Sequence, residues 1–138
     1  MKIVLIMIFA LSLLYGDFTK SGNVVSNNHS QLQWQDDSVG STKTWREAID
    51  YCETLTLDGL SGWRLPNINE LKSIINKTTH SPAVVSAFEN IGSNQYWSST
   101  SYADKKSNAW IVNFADGKES GGKKTYHKYV ICVRGGQP

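Results

Sequence analysis

Hydrophobic and polar positions divide the chain into three regimes. Residues 3 to 14 form an apolar run interrupted only by Ser12, residues 17 to 31 are polar with little periodicity, and from Leu32 onward apolar positions recur at regular spacings. Leu32-Gln33-Trp34 alternates, which predicts a short first strand ended by a solvated turn at Asp36-Asp37. Thr44 and Glu47 have the spacing of a capping box, in which each side chain satisfies a backbone N–H at a helix start. Trp45, Ala48, Ile49, Cys52 and Leu55 then share one helical face, and the helix is expected to run out near Asp58-Gly59. Gly62-Trp63-Arg64-Leu65-Pro66-Asn67 predicts a rigid corner. Pro66 restricts Leu65 to an extended conformation, which aims Trp63 and Leu65 at the core and leaves Arg64 for a structural ion pair or a carbonyl contact. Asn67 with Glu70 repeats the capping box ahead of Leu71, Ile74 and Ile75. Ser81-Pro82 opens a short third segment, where Val84, Val85 and Phe88 suit one or two helical turns.

After Gly92 the pattern changes to strands. Tyr96-Trp97-Ser98-Ser99-Thr100 is aromatic and hydroxyl-rich, and Ala109 to Phe114 alternates, with Trp110, Val112 and Phe114 on one face and Ile111 and Asn113 on the other. Asp116-Gly117 is a hairpin signal, Gly121-Gly122 reads as a further turn, and Tyr129 to Arg134 predicts the last strand.

Lys2, the apolar run and Tyr15-Gly16-Asp17 have the layout of a secretory signal peptide. A run of this length falls short of the roughly 20 residues that span a bilayer. The expected organisation is a signal over residues 1–16, a flexible lead-in over 17–31 and one domain over 32–136, exported to the periplasm or beyond with no transmembrane segment after signal removal. Counted from Asp17, 13 basic against 12 acidic residues give +1, too near neutrality to suggest nucleic acid. The distribution is uneven: residues 17–96 carry 6 basic and 9 acidic groups, whereas residues 97–138 carry 7 and 3. An anionic partner is therefore expected on the C-terminal third. Cys52 and Cys132, two cysteines in an exported chain, read as one disulfide. His29, His80 and His127 show no metal spacing, so neither a metal nor another cofactor is expected.

Six motifs in order carry a resemblance to a known family. They are Leu32-Gln33-Trp34-Gln35-Asp36-Asp37; Trp45 with Ala48 and Tyr51-Cys52; Trp63-Arg64-Leu65-Pro66-Asn67 with Glu70-Leu71; Tyr96-Trp97-Ser98-Ser99-Thr100; Ala109-Trp110 with Phe114 and Gly117; and Cys132-Val133-Arg134. The chain resembles the bacterial secreted domains typified by the C-terminal domain of the collagen-like adhesin Lcl (domain of unknown function 1566), a branch of the C-type-lectin-like fold. The resemblance implies an α+β domain, with two N-terminal helices packed on a small twisted antiparallel sheet and a disulfide from the first helix to the last strand. Trp45, Trp63, Arg64, Pro66, Trp97 and Trp110 are its structural residues. One departure is visible, since Ile131 stands where the family commonly has an arginine.

No catalytic residue is expected. Formylglycine-generating enzymes share the broad fold, but Cys132 has no second cysteine beside it, and a triad of Ser98 or Ser99 with His127 is an unsupported use of strand hydroxyls. The calcium and sugar motifs of calcium-dependent lectins are missing as well. A binding surface remains between Ser101 and Lys128, with Tyr102, Lys105, Lys106, Asn108, Asn113, Lys118, Lys123, Lys124, Tyr126, His127 and Lys128 as candidate ligand contacts. Aromatic rings stack on sugars, amides bond hydroxyls, and clustered lysines pair with sulfate or carboxylate. The resemblance implies an adhesin-like module for an anionic polysaccharide. Similarity to retroelement-diversified lectin-fold proteins implies instead recognition of a cell-surface protein, and an exported structural domain without a small ligand is the third reading.

Overall fold

The computed structural model describes residues 18–38 and 40–136, so the expected signal segment lies outside the described residues. Among these, the chain forms β1 (Phe18–Ser21), β2 (Val24–Asn27), β3 (Leu32–Gln35), α1 (Trp45–Thr54), α2 (Ile68–Lys72), β4 (Gln95–Ser101), β5 (Asn108–Asn113), β6 (Lys118–Lys123) and β7 (Val133–Gly135). Two antiparallel sheets result, one in the order β1-β2-β3-β7 and the other β4-β5-β6. No helix among the described residues is long and apolar enough to cross a membrane.

This architecture corrects the expected α+β, C-type-lectin-like arrangement of two N-terminal helices on one small sheet. The domain is mostly β, its helices are ten and five residues long, and three strands precede the first of them. Residues 18–27, expected as a flexible lead-in, form a hairpin that pairs through β2 with β3. Val24 and Val25 are both buried, and this adjacent pair anchors the hairpin without the alternation by which a strand is usually recognised. Residues 81–88 are not helical, because Ile75 and Val84 form a bridge and Ala83 donates to the Phe114 carbonyl at 2.6 Å. Asp58-Gly59 does not extend α1, which ends at Thr54; it turns the chain between Leu57 and Leu60, which bond each other's backbone. Gly121-Gly122 lies inside β6 rather than in a turn, and the last strand covers only Val133–Gly135.

Both expected capping boxes are present, with the Thr44 and Asn67 side chains accepting from the N–H groups of Glu47 and Glu70. The corner after α1 works as a clamp. Trp63, Leu65 and Pro66 are buried, while the Arg64 guanidinium lies outside and grips both Glu70 oxygens at 2.6 and 2.8 Å and the Gly135 carbonyl at 3.0 Å. Two apolar clusters share the interior. One joins the sheets through Trp34, Leu71, Ile74, Phe88, Tyr96, Val112, Phe114 and Val133; the other lies under α1 with Ala48, Trp63, Leu65, Trp97, Ile111 and the two cysteines. Because Ile111 serves one cluster and Val112 the other, β5 is covered on both faces. Trp110, expected with Val112 and Phe114, is only half-buried.

The Cys52–Cys132 disulfide is formed, with Cα atoms 5.5 Å apart and a sequence separation of 80. A closed loop of that length stabilises the fold by about 4 to 5 kcal/mol in the chain-entropy model. Asp36 is the second long-range tie, and it is buried rather than solvated. Its carboxylate accepts from Lys20 Nζ at 2.6 Å, Glu89 N at 2.9 Å and Asn90 N at 2.8 Å, so one side chain joins the N-terminal hairpin to the loop before β4. A buried carboxylate is stable only when its oxygens are supplied with donors, and here each oxygen has at least one.

Asp36→Ala strands one ammonium and two N–H groups, and is expected to cost about 3 kcal/mol or more in chemical denaturation. A loss below about 1 kcal/mol would refute its role as a tie. Glu70 yields a pH prediction. Burial, the largest influence, raises its pKa, but the Arg64 hydrogen bond, the Asn67 N–H and the Arg64 charge together hold it below the ordinary glutamate value of 4.5. A lowered folded-state value contributes stability above the unfolded value that is lost as pH falls through the folded one. Melting temperature should therefore drop as pH falls below about 4.5, and Glu70→Gln should flatten that part of the profile.

Candidate functional site

The segment that returns from β6 to the disulfide places the most chemistry in one location. Lys128 pairs with Lys43 through two backbone hydrogen bonds of 2.8 and 2.9 Å, and the next residue, Tyr129, donates to Gln95 O at 2.9 Å and accepts from Trp97 N at 3.1 Å. Residues 127–129 are thus strapped between the approach to α1 and β4. The Trp97 indole closes the strap by donating to Lys43 O at 2.8 Å.

Beside this strap lies a cleft of about 310 Å³. It is lined by Thr42, Ser93, Asn94, Gln95, Asn113, Ala115, His127, Lys128 and Tyr129, with Gln95 paired to Asn113 on one flank and bonded to Tyr129 on the other. None of these nine residues carries a carboxylate. Lys128 Nζ donates to Gln95 Oε1, and among the described residues no carboxylate lies within ion-pair distance of it. Glu47 interacts with His127: its carboxyl is held below its ordinary value first by the Thr44 N–H, then by the Thr44 side chain, with smaller contributions from His127 and Lys43.

Tyr126 adjoins the cleft. At 53 % exposure it is the exposed large aromatic of the described residues, and the ammonium groups of Lys123 and Lys128 lie 5.8 and 6.0 Å from its ring centre. An exposed ring flanked by two cations next to a polar cleft can stack on a sugar face while the ammoniums take an anionic substituent.

The expected contact residues divide into three groups. Asn113, His127 and Lys128 line the cleft, and Tyr126 and Lys123 lie on the approach to the strap, Lys123 pairing with Asn108 at the end of β5 away from Asn113. Tyr102, Lys105, Lys106, Asn108 and Lys124 sit at the open end of β5 and β6. There Lys105 and Lys106 are exposed on the loop of residues 102–107, and Tyr102 stacks on Trp110 with centroids 4.3 Å apart. That stack requires glycine at position 121, where a Cβ would come within 2.6 Å of the Tyr102 ring. Asn108, the first residue of β5, has a buried Oδ1 with no hydrogen-bond partner. Lys124 is occupied internally, its ammonium 3.9 Å from the Trp45 ring centre and 2.6 Å from Ser101 Oγ. Lys118, at the β5–β6 turn, is the cross-strand partner of Asn113 and lines a different depression, of about 590 Å³, where Lys72 is paired with Glu119 at 3.0 Å.

The expected structural residues make internal contacts. Trp45 donates its indole N–H to Ser98 O at 2.9 Å, Trp63 to Leu60 O at 2.8 Å, and the Pro66 carbonyl accepts from Ser99 N at 2.8 Å. Ser93, Asn94, Gln95, Thr42 and Tyr129 line the cleft but fall outside the stretch expected to bind. A run of three hydrogen-bonding side chains, Ser93-Asn94-Gln95, directly ahead of an aromatic strand was the available signal.

Fold and site together define a disulfide-tied, mostly β domain with a cationic, carboxylate-free cleft. Comparison with protein families assigns it further: residues 23–134 match the Lcl C-terminal domain, and the chain belongs to that family. No match was found among curated proteins.

Proposed function

We propose that this chain is an exported, non-enzymatic, adhesin-like module that binds acidic or sulfated glycans through Tyr126, its two flanking lysines and the adjoining cleft. The observation that carries this reading is the juxtaposition of an exposed ring and two ammonium groups with a cleft whose lining lacks carboxylates. Polar side chains for sugar hydroxyls and uncompensated positive charge for an acidic substituent occur together there. Membership of the Lcl C-terminal domain family is consistent with an extracellular domain.

Two further features favour binding over catalysis. Both cysteines are joined in the disulfide, and the buried Ser98 hydroxyl is committed, donating to Trp110 O at 2.8 Å and accepting from Thr100 N at 3.2 Å. Recognition is assigned to side chains alone, and among the described residues no group of three or more His, Cys, Asp or Glu is placed to hold a metal ion.

Binding of the exported chain to immobilised sulfated and neutral glycans, measured across a salt series with and without a calcium chelator, tests the proposal. Binding to the sulfated set should weaken steeply with salt and be indifferent to the chelator. Changing Lys123 and Lys128 together to glutamate should reduce it about tenfold or more. Salt-independent capture of a surface protein that is lost on Tyr126→Ala would instead point to protein recognition.

A further inference from the structure

We propose that β6 is the seam of a homodimer, in which two copies of this chain join their three-stranded sheets edge to edge, β6 antiparallel to β6, with Gly121 on the two-fold axis. The interface is a different surface from the cleft and does not depend on the glycan reading.

The three-stranded sheet runs β4-β5-β6, and its two edges differ. Along β4, Tyr129 bonds Gln95 and Trp97, so the strap closes that edge. Among the described residues no strand and no isolated bridge pairs with the outer side of β6. Lys124, which continues the strand, donates its N–H to Ser107 O at 2.9 Å and so faces β5. Backbone groups alternate in direction along an antiparallel strand, which turns those of Lys118, Ser120 and Gly122 toward β5 and those of Glu119, Gly121 and Lys123 outward. Trp110 agrees with this assignment: paired with Gly121, its carbonyl accepts instead from Ser98 Oγ on the β4 side. Lys123 O is taken by Tyr126 N at 2.9 Å, whereas among the described residues the backbone groups of Glu119 and Gly121 have no partner beyond the ladder.

An open row of this kind accepts another strand, and the charges select which one. Centring an antiparallel self-pair on Gly121 sets each Glu119 opposite Lys123 of the second copy, and symmetry makes the contact twice. Centring on Glu119 or Lys123 opposes like charges, and centring on Ser120 or Gly122 matches none. In the Gly121 register Lys118 falls opposite Lys124, whose ammonium is drawn inward to Trp45 and Ser101. The axis also has an apolar cover. The Tyr102 ring lies over Gly121, where a Cβ would stand, and is backed by Trp110 with centroids 4.3 Å apart. Paired Cα atoms at such an axis are about 5.5 Å apart, which brings the two Tyr102 rings side by side over the seam.

Sedimentation velocity of the exported chain, followed up to about 1 mM, tests the interface together with amide hydrogen exchange. The expected result is a reversible dimer in which the N–H groups of Gly121 and Lys123 gain protection as concentration rises, while those of Ser120 and Gly122 are protected throughout. Glu119→Lys and Lys123→Glu should each weaken the dimer about tenfold or more, and the two together should restore it to within about threefold. Exchange on the unaltered chain decides the claim without any variant. A chain that stays monomeric over the whole range, or a dimer in which the Gly121 and Lys123 N–H groups exchange freely, overturns the inference. A dimer indifferent to both charge reversals does the same.

Discussion

Cys132 and Val133 hold the four-stranded sheet, the first helix and the corner in one arrangement. The Cys132 sulfur is bonded to α1 through Cys52, and its backbone exchanges hydrogen bonds with Gln35, accepting from the main-chain N–H at 2.9 Å and donating to the side-chain carbonyl at 3.1 Å. Val133 pairs with Trp34 on one side and bonds Arg64 in both directions on the other. Two adjacent residues therefore fix β3, α1 and the corner relative to one another. The disulfide makes this junction costly to open, because its closed loop includes nearly everything from the helix to the last strand.

The candidate site lies immediately upstream of that junction. Residues 126–129 gain their position from the disulfide-bonded Cys132 downstream as much as from their own bonds to Lys43 and Gln95. A short strap anchored at one end by a covalent bond and along its length by β bridges presents Lys128 and Tyr126 with little conformational freedom left to lose on binding. The basic residues differ in what they touch, which decides their availability. Lys124 is spent on Trp45 and Ser101, Lys72 on Glu119 and Lys20 on Asp36, whereas among the described residues the Lys128 ammonium meets an amide and a ring and no carboxylate.

Local chemistry was the legible part of the fold. The two capping boxes, the Asp116-Gly117 turn, the aromatic strand at Tyr96 and the roles of Trp63 and Arg64 each depend on residues close together in sequence, and each was readable there. Sheet organisation was not, because pairing of Leu32 with Gly135 or of Val25 with Trp34 depends on contacts that no local period records. Asp36 shows the same limit. Its neighbours in sequence suggest a turn, and its burial depends on Lys20, Glu89 and Asn90 arriving from elsewhere. For the site, the excess of lysine over residues 97–138 pointed to the region that holds the strap, but could not separate Lys128 from Lys124, nor reach Gln95 on a different strand.

One small surface, not the whole basic third of the chain, is proposed to make the contact. Backbone and side-chain chemical shifts of the isotopically labelled protein, followed during titration with a short sulfated oligosaccharide, test this residue by residue. Perturbations should concentrate at Gln95, Asn113, Lys123 and residues 126–129, with Lys105 and Lys106 little changed. Shifts spread evenly over all exposed lysines, or centred on the loop of residues 102–107, would contradict it.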